Sequence, residues 1–134
     1  MKTTMKAGWM MTQTRKLKRS DCALLYLTLK RKWYDMIANG VKEEEYRDYK
    51  PFWTSRIDRW SGQINKHRVA AFSLGRRKPD MFFLCMSKGC EAEPVMLCLS
   101  RYALHPEWGE PRAPHYTIPL DERVDLEDES EVVK

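Results

Sequence analysis

Hydrophobic and polar positions change period along the chain. From Leu24 to Leu29 apolar residues form a short run that suits a buried strand. Trp33, Met36 and Ile37 then recur at helical spacing, and Asn39-Gly40 supplies the left-handed stop that ends helices. The pattern therefore predicts a strand running into a short helix that stops at Gly40. Glu44 to Tyr49 is the second expected strand. Pro51 suits the first turn of another helix, where its fixed φ is preorganised and its missing N–H has no partner to lose. Trp53, Ile57 and Trp60 follow at i, i+4 and i+7, on one face of a helix ending near Ser61-Gly62.

From Arg68 onward the apolar residues come in strand-length runs: Val69 to Leu74, Met81 to Met86, Val95 to Leu99 and Tyr116 to Leu120. Turn formers separate them at Gly75, Pro79-Asp80, Lys88-Gly89, Pro94, Pro106 to Gly109 and Pro111 to Pro114. About six strands with two short helices inserted early predict an α+β domain. Its sheet should be mixed or antiparallel and curled into a small barrel that hides its edges. There is no internal repeat or linker.

Size and composition agree with one domain: 134 residues, 43% of them hydrophobic, can fill a core. The first twenty residues lack periodicity and read as a flexible basic arm (1–20), followed by the domain (21–120) and an acidic, solvated tail (121–134). No apolar run approaches the ~18 residues that span a bilayer. Met1 to Ser20 has no signal-like apolar block, so a cytoplasmic address is expected.

The net charge of +5 is uneven. Residues 1–20 carry six bases and no acid, residues 121–134 carry seven acids and two bases, and the stretch between keeps a surplus of four bases. Such a surplus attracts phosphate polyanions through counterion release. Cys22, Cys85, Cys90 and Cys98 form no Cys-x-x-Cys pair and have no matching His-x-x-x-His, so they read as buried free thiols. No metal or cofactor is signalled.

The chemically pointed segment is Gly40 to Asp48, which packs two bases and four acids into nine residues. Most charge runs of this kind form a solvated strand edge. In a flat strand Glu45 and Arg47 share one side, while Lys42, Glu44 and Tyr46 share the other. Lys42 joins Glu45 and Arg47 only if the chain turns between Gly40 and Glu43.

Here the sequence resembles a known family. Gly40-x-Lys42-x-x-Glu45-x-Arg47 is similar to the signature of ASCH domains, which are small PUA-like β-barrels. The preceding "LYLTLKRKWYDMIANG" resembles their entry segment. "EWG" at Glu107 to Gly109, with the strand Tyr116 to Leu120, resembles the closing part of prophage-type members. The likeness covers roughly residues 22–120. It implies a cleft beside the first helix that binds RNA or a nucleotide-like ligand. Lys42 and Arg47 would meet a phosphate or carbonyl oxygen there, and Glu45 would hold them or accept from a base edge.

Some similar domains are amidohydrolases of acetylated cytidine that use a Lys and, three residues later, a Thr. Lys42 matches the first position, but Glu45 stands where the Thr would be, so that hydroxyl nucleophile is missing. An enzyme could instead use Lys42 and Glu45 to activate water, with Glu91, Glu93 or Glu107 as a second acid.

Arg76 and Arg77, with Lys78, follow Gly75 in a turn that reads either as a phosphate-binding loop or as a solvated hairpin tip. Trp108 is either a stacking platform for a base or a loop anchor. Tyr46 and Tyr49 line the expected cleft or cover its floor. Trp33, Trp53 and Trp60 read as core. His67, His105 and His115 stand alone and receive no catalytic role. A protein-binding adaptor is the remaining alternative.

Overall fold

The computed structural model describes residues 14–99 and 112–127. Its elements in chain order are β1 (Arg15–Lys18), a 3-10 turn (Arg19–Asp21), β2 (Cys22–Leu29), α1 (Arg31–Ala38), β3 (Glu44–Asp48) and α2 (Pro51–Ser61). They continue with β4 (His67–Leu74), β5 (Met81–Met86), β6 (Met96–Cys98), β7 (His115–Pro119) and β8 (Glu122–Glu127). The α+β class is as expected, but among the described residues there are eight strands, not six, and they do not close into a barrel.

Five strands form one sheet in the order β1-β8-β5-β4-β2, and three form another in the order β3-β7-β6. β2 runs parallel to β4 from Cys22↔His67 to Leu29↔Leu74, which requires a crossover that α1, β3 and α2 supply. β1 runs parallel to β8, and the β4–β5 and β5–β8 pairs are antiparallel.

The readings of residues 1–20 as a flexible arm and of 121–134 as a solvated tail need correction where the two segments are described. Arg15 to Lys18 pairs with Val124 to Glu127, and Phe82 to Leu84 of β5 holds the other side of β8. Leu17 and Val124, buried among charged neighbours, anchor this edge. Arg15 fastens it further by a fork to Glu122, with contacts of 3.2 Å and 2.9 Å.

β4 shows why its sequence is a nearly unbroken apolar run: both of its faces are covered. Ala70 and Phe72 join a core with Leu25, Leu27 and Phe83 of the larger sheet, Ile37 of α1, Ile57 and Trp60 of α2, and Tyr116 and Ile118 of β7. Val69 faces the other way, packing with Leu17, Cys22, Leu84 and Val124. The Trp60 indole donates to the Ala23 carbonyl at 2.9 Å, which satisfies its one polar atom inside the core.

Arg68, at the start of β4, is fully buried. Its guanidinium donates to the carbonyls of Ser61 at 2.8 Å, Ser87 at 3.2 Å and Cys90 at 2.6 Å. It thus ties the end of α2 to the loop after β5. Among the described residues no helix is long and apolar enough to cross a membrane.

Candidate functional site

The helix stop at Gly40 supplies the turn on which the site depends. Gly40 has φ 77°, a left-handed conformation that a side chain would strain. Its amide donates to Ile37 O at 3.1 Å, and the amides of Val41 and Lys42 both donate to Met36 O, at 2.9 Å and 3.1 Å. The chain therefore folds back over the end of α1 before β3 begins, and Lys42 reaches the side of β3 that carries Glu45.

The three motif side chains meet as a chain of ion pairs. Lys42 Nζ lies 2.7 Å from Glu45 Oε1, and Arg47 Nη2 lies 3.0 Å from Glu45 Oε2. The Lys42 and Glu45 side chains are each 6% exposed and that of Arg47 is 18% exposed, so the solvated-edge reading does not hold here. Arg47 Nη2 also donates to the Thr28 carbonyl of β2 at 3.1 Å, and its guanidinium stands 5.1 Å from the centre of the Trp53 ring. Lys42 Nζ lies 4.8 Å from the Trp33 ring centre and 5.3 Å from that of Tyr46. Two aromatic rings and a carboxylate thus compensate a buried ammonium. Tyr46 packs edge-on against His115, with ring centres 5.5 Å apart.

Lys42, Glu45, Tyr46 and Arg47 form the floor of a cleft of about 710 Å³. Its walls come from four separated segments: Thr28 to Lys30 at the end of β2, Trp33 of α1, Gly75-Arg76 after β4, and Arg112 with His115 at β7. Five bases (Lys30, Lys42, Arg47, Arg76, Arg112) face two acids (Glu45, Asp48) around it. The cleft is thus an electropositive concavity with an aromatic wall, and its floor charges are already oriented by one another.

Of the residues expected from sequence, Lys42, Glu45, Tyr46, Arg47 and Arg76 come together in the cleft. Arg77 is exposed beside it and is not among its lining residues. Trp108 and Glu107 lie outside the described residues. Glu93 lines a different groove, with Glu43, Glu44 and Asp121, and is not among the residues around the Lys42 ammonium in the cleft. Trp33, expected in the core, both packs against it and lines the cleft. Lys30, Asp48, Arg112 and His115 were not anticipated. Lys30 could have been found from its place immediately after β2, next to the motif's helix. Asp48 closes the charged segment that begins at Gly40, whereas Arg112 and His115 carry no local signal.

All four cysteines are free. Cys22 and Cys85 are buried as expected, whereas Cys90 and Cys98 are partly exposed.

The fold and cleft together define a class: a small α+β protein of two packed sheets, with an anion-attracting cleft where the first helix returns into the second sheet. No family model, curated protein or solved structure matches the chain.

Proposed function

We propose that the chain is an ASCH-type, PUA-like domain that binds RNA or a nucleotide-like ligand in the cleft above Lys42, Glu45 and Arg47. The observation that carries this reading is the charge arrangement, five bases against two acids around a cleft of about 710 Å³. That volume falls within the range of about 300–1,000 Å³ usual for small-ligand sites. Exposed Arg76 and Arg112 on the rim suit phosphate oxygens, which the planar guanidinium meets with two parallel donors. Trp33 offers an aromatic surface to a base. The resemblance of Gly40 to Arg47 to the ASCH signature points the same way.

The hydrolase alternative draws less support. Both oxygens of Glu45 are engaged by cations, which makes it a clamp and not a free base. Glu93, one of the proposed second acids, lines another groove.

The test is titration of tryptophan fluorescence with short single-stranded RNA, DNA and modified nucleosides at two salt concentrations. Arg47→Ala is expected to weaken binding by about 1–3 kcal/mol. Arg76→Ala and Arg112→Ala should each lower the salt slope by about 0.7. Wild-type affinity and slope in all three variants would refute the site. Silence across the panel would favour a protein partner, and turnover of acetylated cytidine would revive the hydrolase.

A further inference from the structure

Two basic tripeptides, remote in sequence, leave the same end of the larger sheet. β2 and β4 are adjacent and parallel, and their last residues, Leu29 and Leu74, are register partners. Lys30-Arg31-Lys32 follows the first strand, and Gly75 followed by Arg76-Arg77-Lys78 follows the second. The Gly75 amide donates to Leu29 O at 3.0 Å, which holds the two segments together. All six bases are exposed.

Local acids offset the ridge only in part. Arg31 pairs with Asp35 at 3.6 Å, and Asp80 accepts a hydrogen bond from Tyr34 Oη at 2.7 Å. Lys30, Gly75 and Arg76 belong to the ridge and also line the cleft, so the two surfaces are continuous. Lys32 Nζ stands 4.7 Å from the centre of the Trp33 ring, the aromatic wall between them.

We infer that the cleft takes one nucleotide of a single-stranded polynucleotide and that the neighbouring phosphates run along this ridge. The inference rests on the nucleotide reading of the cleft and deepens it. A mononucleotide brings one phosphate group, which Arg76 and Arg112 at the rim suffice to meet. Arg31, Lys32, Arg77 and Lys78 lie beyond the cleft lining, where only a ligand that extends out of the cleft can meet them. A single strand is favoured because a base enters a walled cleft only when unpaired and unstacked, a state that a duplex reaches only at the cost of flipping the nucleotide out. A backbone tracked by bases beside an aromatic platform is the arrangement by which unpaired strands are held.

The experiment measures binding of the full chain to uridine monophosphate and to oligouridylates of two, four and eight nucleotides, at about 50 and 200 mM salt. The probe is fluorescence anisotropy, with competition for the monophosphate. Affinity is expected to rise at least tenfold from the monophosphate to the longest oligomer. The triple variant Lys32→Gln/Arg77→Gln/Lys78→Gln should remove most of that gain and lower the salt slope by about 2, at roughly 0.7 per phosphate contact. It should leave monophosphate affinity within twofold of wild type.

No gain with length, or a triple variant with the wild-type slope, overturns the ridge while leaving the cleft reading intact. Monophosphate binding that ignores Arg47→Ala overturns the cleft reading and the ridge with it. Equal affinity for a blunt duplex, or stronger binding to polyglutamate or anionic vesicles than to the oligomer, also overturns the proposal.

Discussion

Replacing Glu45 by Gln tests the core of the site without changing its shape. The carboxylate holds Lys42 at 2.7 Å and Arg47 at 3.0 Å, with both of its own oxygens sheltered. At an effective dielectric constant of about 20 each contact is worth about 6 kcal/mol of gross attraction. Much of this offsets the cost of taking the charges out of water. Glutamine keeps a carbonyl for one cation but turns an NH2 donor toward the other, and it leaves both positive charges without a counter-ion. Removing one member of a buried pair costs about 3–5 kcal/mol, and the two short contacts place Glu45→Gln in that range.

Lys42→Met is expected to cost less, about 1–3 kcal/mol, because Glu45 keeps Arg47 and the thioether still covers the Trp33 and Tyr46 rings. Urea unfolding followed by tryptophan fluorescence measures both. With m of about 1–3 kcal/mol/M, Glu45→Gln should lower the midpoint by at least about 1 M at unchanged m. The double variant should be less destabilised than the sum of the singles. A Glu45→Gln protein within about 1 kcal/mol of wild type, or one more stable than Lys42→Met, would refute the reasoning.

Other consequences are equally direct. Arg68→Met keeps the volume but strips the donors from three carbonyls, and charged hydrogen bonds of this kind are worth about 1.5–3 kcal/mol each, so a loss of at least about 3 kcal/mol is expected in the same assay. A loss below about 1 kcal/mol would show that water replaces the clamp. Burial pushes the Cys85 thiol up to about 12, so under native conditions at neutral pH a maleimide should modify Cys90 and Cys98 and spare Cys85 until the chain unfolds. Rapid native labelling of Cys85, located by peptide mapping, would contradict this. Burial, and then the neighbouring Lys88, lower the affinity of His67 for a proton on folding. The unfolded state therefore binds more protons, and this contribution to stability is complete above the unfolded value of about 6.5 and is lost as pH falls through the folded value. His67→Gln should flatten the decline of the urea midpoint below that pH, and parallel curves for variant and wild type would rule His67 out as its source.

The elements that sequence reveals most plainly are those in which one local rule dominates. Met81 to Met86 is legible because its apolar run is bounded by turn residues, and α2 because Pro51 and a Trp-Ile-Trp stripe mark its start and its face. β1 and β8 are not legible. In Arg15–Lys18 a single buried leucine stands among three charges, too few apolar positions to define a period, and its partner sits more than a hundred residues away. The barrel expectation fails for a related reason: strand existence is local information, whereas the parallel β2–β4 pairing depends on what the intervening elements bury. At the site, the spacing of Lys42, Glu45 and Arg47 is local and readable, down to the turn at Gly40 that it requires. Arg112 and His115 reach the cleft only because β7 pairs with β3, with His115 opposite Asp48.

The two ends of β4 show how the same side chain acquires different work from its surroundings. At the start, Arg68 turns its terminal Nη1 and Nη2 donors to main-chain carbonyls and sees no solvent, so its charge is consumed in holding a helix end to a loop. At the other end, Arg76 is exposed on a cleft wall, where its charge remains available to a phosphate. Arg47 stands between these limits, with one terminal nitrogen on Glu45 and Thr28 and its plane near Trp53, while it still lines the cleft. Substitutions should therefore separate along this series. Arg68→Met should move the urea midpoint and leave the salt slope of binding unchanged in the folded fraction, Arg76→Ala should do the reverse, and Arg47→Ala should move both. If Arg76→Ala lowered stability as Arg68→Met does, the rim charge would be structural and the cleft would lose its claim to an anionic ligand.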